Sequence, residues 1–173
     1  MKFEIPDGFF NKEELSNTPR RFDKFMTEWL SHSNNFEFTT FPNPNYDQMI
    51  IIKDITFYSI CSHHLVPFFG KAHFGYIPTS KICGLSKIPR VIDKFAHKPQ
   101  VQEKLTNEIL EYFIENLDPY WCMIVLEAEH LCMSMRGIKK PGHTTITSAI
   151  WKHIVIQKDM NSAKQEFLEM IRK

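Results

Sequence analysis

The stretch 48–60, QMIIIKDITFYSI, constrains this fold more than any other. It is dense in β-branched and aromatic residues, which makes it a long strand. Pro67 and Gly70 punctuate the segment after it. Residues 71–77, KAHFGYI, then form a second strand that Pro78 closes. The two are close enough in sequence to pair antiparallel.

Between 86 and 117 the period becomes helical. Ile88, Val91, Ile92 and Phe95 make one apolar stripe, and Val101, Leu105, Ile109, Phe113 and Leu117 make another. Pro99 separates them and can restart a helix in its first turn. Residues 121–128, WCMIVLEA, are a third strand expected to run on to about 135. Thr144–Trp151 is the fourth. Upstream, Thr18 as N-cap and Pro19 in the first turn open an amphipathic helix over 19–31. The prolines and asparagines of 33–47 predict a loop, with at most a short strand at 36–41. Ser162 and Gln165 make a capping-box pattern that opens a last helix over 163–172.

Two strand pairs separated by two helices predict an α+β fold: a four-stranded antiparallel sheet with helices on one face. Such a sheet has two open edges, so a symmetric homo-oligomer is expected. The chain has 173 residues, 43% of them hydrophobic, enough for one domain with its own core. Its 21 basic and 20 acidic side chains nearly cancel, which argues against a general nucleic-acid partner. No stretch is apolar and long enough for a bilayer, and MKFEIPDGFFNKEEL lacks the layout of a secretory signal. The expected compartment is the cytoplasm, where the four cysteines do not form a disulfide framework.

Cys61-Ser62-His63-His64 sets a thiolate and an imidazole three residues apart just after the first strand. Glu129-His130-Leu131-Cys132 repeats the pair at the end of the third strand, where residues 130 and 132 are expected to share a face. Thiolates favour zinc, and a Cys61/His64/Cys132 set leaves the fourth tetrahedral position open for chemistry. The surplus histidines, His63 and His130, suit proton transfer. Spacing alone also admits a closed structural zinc, or small core cysteines beside ordinary hydrogen-bonded histidines. Cys83 and Cys122 lie in apolar runs and read as core residues. If Cys61 and Cys132 share one metal, its loss in air is expected to join them in a disulfide.

Ser86-Lys87-Ile88-Pro89-Arg90 begins the first long helix, where free amides and the helix dipole favour anions. Lys87, Arg90 and, beyond Cys132, Arg136 are candidates for holding a polyphosphate. Lys139 and Lys140 read as a solvated face. Gln102 and Glu103 open the second helix, and a carboxylate beside an amide can read a guanine edge.

The runs CSHHLVPFFGKAHFGYIP, GLSKIPR, KPQVQEKLT and EAEHLCMSMRGIKKPG, in that order, closely resemble the GTP cyclohydrolase I family. The resemblance extends from about Thr18 to the C-terminus. It implies the tunnelling fold, in which subunits pool antiparallel sheets into barrels, usually as a homodecamer with active sites at subunit interfaces. It implies conversion of GTP to 7,8-dihydroneopterin triphosphate and formate, with one zinc per subunit on Cys61, His64 and Cys132. His130 then matches the residue that protonates guanine N7, His63 a second proton-transfer group, and Ser86 a residue assisting later steps. Gln102 and Glu103 match the guanine readers. Lys87, Arg90 and Arg136 match triphosphate ligands, and Arg21 one supplied to a neighbouring subunit.

Departures from the family pattern are Ser62, where Glu is common, and Pro89, where Ala or Asn is usual. The segment before Thr18 is short. The expected division is one domain over 1–173: an arm at 1–17, helix and loop at 18–47, and a catalytic core at 48–173. Two other readings compete. A nitrile reductase of the same fold would use a nucleophilic cysteine and lack the three zinc ligands. A zinc-stabilised assembly module would gain nothing from His63, His130 or Glu103.

Overall fold

The computed structural model describes residues 15–31, 36–153 and 160–172. In chain order the elements are α1 (Thr18–Ser31), β1 (Thr40–Pro42), β2 (Ile50–Cys61), β3 (Pro67–Ile77), β4 (Lys81–Cys83) and α2 (Lys87–Ala96). Then come β5 (Pro99–Gln100), α3 (Gln102–Leu117), β6 (Trp121–His130), α4 (Leu131–Ser134), β7 (Thr145–Lys152) and α5 (Met160–Arg172).

β2 and β3 pair antiparallel as their composition demands, from Ile50↔Tyr76 to Ile60↔Pro67, with a register shift between Ile52 and Ile55. β6 continues the sheet against β3, and β7 against β6. The predicted four-stranded sheet is in fact five-stranded, in the order β5-β2-β3-β6-β7. The added strand is short: Pro99 and Gln100 run parallel to Ile60 and Cys61. The proline that breaks the helical pattern leaves an extended pair long enough to bond the strand beside it. β1 and β4 form a separate two-stranded ribbon.

Helices cover both faces of the sheet rather than the predicted single face. Alternate residues of β6 explain why. Cys122, Ile124, Leu126 and Ala128 join one apolar cluster with Ile88, Leu105, Ile109 and Phe113 of α2 and α3. Trp121, Met123 and Val125 join a second cluster with Ala163 and Phe167 of α5. WCMIVL is apolar without alternation because it is buried on both sides. Gly70 sits where β3 and β6 approach closely, since a Cβ there would lie 1.8 Å from the Glu127 carbonyl oxygen.

Several predicted boundaries move. The second strand starts at Pro67 rather than 71, so Pro67 and Gly70 lie within β3: Pro67 is its first residue, where no earlier ladder bond is lost, and Gly70 is the close approach to β6. β6 stops at His130 and gives way to the short helix α4, so Cys132 is not on a strand. α5 already begins at Met160, which places Ser162 inside the helix rather than at its cap. By contrast α1 forms where predicted, except that Thr18 is already its first helical residue and Asn17 O accepts the first bond, from Arg21 N–H; none of its residues is buried, and Phe22 and Phe25 are exposed. The 33–35 part of the predicted loop lies outside the described residues. No helix among the described residues is long and apolar enough to cross a membrane.

The connections bring one end of the sheet together. The end of β2 lies beside β5, which leads directly into α3. Phe68 at the start of β3 is opposite His130 at the end of β6. That end of the sheet carries most of the residues singled out by chemistry.

Candidate metal centre and proton-transfer site

The first arm of the site is the turn after β2. Leu65 N–H and His64 N–H both donate to the Cys61 carbonyl, at 2.8 and 3.4 Å. Leu65 closes the turn with φ of 54°. Cys61 N–H donates to Val66 O and Ser62 N–H donates to Gln100 O, which ties the turn to β5. This single turn of helix carries the His64 ring back to Cys61, placing Nδ1 3.7 Å from Sγ. His63 and Ser62 sit exposed on the same turn.

The second arm begins where β6 ends. In α4, Met135 N–H donates to Leu131 O, and this turn carries the Cys132 side chain toward Cys61. The candidate ligand atoms of Cys61, His64 and Cys132 lie within 4.8 Å of one another. The Cys132 thiol is pushed up from its ordinary pKa first by burial and then by Cys61, while Arg136 acts in the opposite direction.

The donor set fits zinc in number, softness and spacing. With Zn–S near 2.3 Å and Zn–N near 2.0 Å, a tetrahedral S···N edge is about 3.5 Å, close to the observed 3.7 Å. Cys83 and Cys122 are different: burial pushes both thiols up to about 12, which suits inert core residues.

His130 ends β6, at the root of the second arm. Its ring stacks on that of buried Phe68, with centroids 4.6 Å apart and planes 1° from parallel. Nε2 is 2.7 Å from Gln102 Oε1. Burial holds the His130 pKa below its ordinary value; the Glu103 charge partly offsets this, and His143 adds to it. Glu103 is exposed in the first turn of α3, whereas Gln102 is 1% exposed. The Gln102 amide bonds within the chain at both ends, a disposition that the guanine-reading expectation does not anticipate.

Ser86 occupies the N-cap position of α2, is exposed, and makes no side-chain cap hydrogen bond. Lys87 and Arg90 occupy the first turn after it. Pro89 fits there without disturbing the helix. Arg136 follows α4 and is exposed. Arg21 lines a groove on α1 with Trp29 and His97. Ser86, Lys87 and Arg90 are not brought to the Cys61 turn within one chain: the end of α2 that meets the end of β2 is Ala96, whose carbonyl accepts from Ser59, whereas the start of α2 follows Cys83, which bonds Tyr76 at the other end of the sheet. Sequence reasoning missed Phe68, Thr147 and His143. Phe68 reads as an ordinary strand aromatic, and the other two reach the site only through strand pairing and a loop.

With this geometry in place, comparison with known proteins assigns the family. A model of GTP cyclohydrolase I matches residues 7–172. The chain belongs to the GTP cyclohydrolase I family. It is 49% identical over 162 residues to GTP cyclohydrolase 1 of Hydrogenobaculum sp., covering 93% of this chain and 87% of that one. It is 47% identical over 170 residues to that of Aquifex aeolicus, covering 98% and 88%. It is 45% identical over 167 residues to that of Bacillus subtilis, covering 94% and 86%. Among solved structures, the apo form of the archaeosine synthase QueF-Like superposes with a TM-score of 0.51 at 13% identity, covering 61% of this chain and 95% of that one. That likeness concerns the fold alone.

Proposed function

We propose that this member of the GTP cyclohydrolase I family opens the imidazole ring of GTP by hydrolysis, releases formate and rearranges the remainder to 7,8-dihydroneopterin triphosphate. The observation that carries the proposal is the convergence of the Cys61, His64 and Cys132 ligand atoms within 4.8 Å, with His130 at the same end of the sheet.

Cys61, His64 and Cys132 would hold a zinc ion. Zinc supplies Lewis-acid activation of water at neutral pH, which is the chemistry that attack at C8 requires. The protein's own groups do the rest. His130 delivers a proton to N7, which makes C8 more electrophilic and the ring easier to open. His63, on the exposed side of the Cys61 turn, serves later proton transfers. Ser86, whose hydroxyl is not used in capping, assists the rearrangement of the ribose. The Glu103 carboxylate accepts from the guanine N–H groups. Lys87 and Arg90 hold the triphosphate at the start of α2, and Arg136 adds a third cation from beyond Cys132.

Assembly belongs to the same proposal. Among the described residues β7 has a partner on one side only, and the free side of β2 is covered only by Pro99 and Gln100. Pairing of these edges between subunits would close the sheets into a barrel, and a homodecamer is the expected assembly. Arg21, in the groove on α1, would then serve a neighbouring subunit's substrate. The chain is read as one catalytic domain with residues 1–17 as an arm, acting in the cytoplasm.

Incubating the purified protein with GTP, with and without a zinc chelator, tests the reading. Formate and a pterin fluorescence after oxidation are expected, both lost on chelation. A full zinc load without formate would overturn it. NADPH consumption with a deazaguanine nitrile would support the competing reductase.

A further inference from the structure

Gln102 sits at the start of α3 with its side chain buried between β6 and β7. Its Nε2 lies 3.1 Å from Leu126 O, 3.0 Å from Thr145 O and 3.1 Å from Thr147 Oγ1. Two of these three are backbone carbonyl oxygens, which only accept. The amide end facing them must therefore be the NH2 group, and the usual ambiguity between amide nitrogen and oxygen is removed by chemistry. Thr147 supports the same orientation. Its hydroxyl is 2.6 Å from Thr106 Oγ1, and Thr106 donates to Gln102 O at 2.8 Å. With the Thr106 hydrogen so used, Thr147 donates to Thr106 and remains an acceptor for Gln102 Nε2.

The other end of the amide is fixed by necessity. Oε1 points at His130 Nε2, 2.7 Å away, and an amide oxygen cannot donate. His130 Nε2 must carry the hydrogen of that bond. In the neutral ring the lone pair is then on Nδ1. The stack on Phe68 fixes the ring plane as the hydrogen bond fixes its rotation within that plane.

We propose that Gln102 is a positioning residue, not a guanine reader: it sets the tautomer of His130, so that Nε2 holds a permanent hydrogen and Nδ1 is the nitrogen that takes up a proton from water and passes it to the substrate. This rests on the reading of His130 as the proton-transfer group. Orienting partners of this kind act by holding an imidazole in one tautomer and one pose, and their loss shows in turnover rather than in ground-state binding. Glu103, one residue on and exposed, is left as the side chain available to the base.

The direct test is the nitrogen spectrum of the zinc-loaded protein with 15N-labelled histidine, recorded above pH 8 without substrate. The His130 signals are assigned by their disappearance in His130→Asn. A protonated, pyrrole-type Nε2 with a pyridine-type Nδ1 is expected; a neutral ring with its hydrogen on Nδ1 overturns the proposal whatever any variant does. Kinetics give the second readout. Gln102→Leu should lower kcat by on the order of 10–100-fold and change KM for GTP by less than about twofold. A Gln102→Leu enzyme with raised KM and unchanged kcat would restore the guanine-reading role. Full turnover in His130→Ala would instead sink the functional reading while leaving the measured tautomer intact.

Discussion

The two arms of the site are built on opposite principles. The Cys61–Leu65 turn is exposed beyond Cys61 and is held mainly by backbone hydrogen bonds between residues 61 and 66. The His130–Cys132 arm is half-buried and is held by side chains from β3 and α3, with β7 behind them. The first arm brings two candidate metal donors, Cys61 and His64, together and leaves His63 exposed. On the proposed reading the second also holds the His130 imidazole in one pose and one tautomer. A metal constrains its ligands by bonding them, so a simple turn suffices. A proton donor has no such restraint and depends on its surroundings.

Metal removal should produce the largest effect, because it acts on the one feature that the arms share. Chelation in air is expected to join Cys61 and Cys132, lowering the free-thiol count by two and abolishing formate release. Cys83 and Cys122, whose thiols burial pushes up to about 12, should stay reduced. A count that stays at four after chelation and oxidation would mean that the arms do not converge.

Phe68→Ala comes next. The ring is fully buried and backs His130. The variant should lose about 3–5 kcal/mol of stability, read from denaturant midpoints. The milder Phe68→Leu should keep its metal and lower kcat, since only the second arm leans on that ring. Equal loss of metal and turnover in Phe68→Leu would erase the distinction between the arms.

The smallest effect lies outside both arms and provides a control. His73, on the face that α5 covers, is 4% exposed, and its Nδ1 accepts from Asp54 N–H at 3.2 Å. Burial holds its pKa below the ordinary value; Glu127 and Asp54 offset this in part, and Lys53 and Lys71 add to it. The unfolded chain therefore binds the extra proton first, and stability is lost as pH falls below about 6.5. His73→Gln should flatten stability against pH in that window without changing metal content. An unchanged slope would mean that other groups carry it.

Legibility in the sequence divides along the same line. The Cys61/His64 pair can be read from spacing because the turn that joins them is local. The strands and the two central helices are legible from their periods. The second helical layer is not, because WCMIVL looks the same whether one face or both are buried. The short strand at Pro99–Gln100 is hidden inside what looks like a helix break. Spacing puts Cys132 on a strand face, whereas it reaches the metal site from a turn of helix. The Gln102 environment is the least legible: its partners at 126, 130, 145 and 147 are distant in sequence and meet it only through the β6–β7 pairing.

The central claim is that the two arms together bind the metal while His130 performs proton transfer beside it. Zinc content and formate release from GTP, measured together in Cys132→Ala and His130→Ala, test this most directly. Cys132→Ala is expected to lose both zinc and formate release. His130→Ala is expected to keep zinc at the wild-type level while turnover falls by on the order of 10²–10⁴-fold. Wild-type turnover in His130→Ala, or a full zinc load in Cys132→Ala, would contradict the claim.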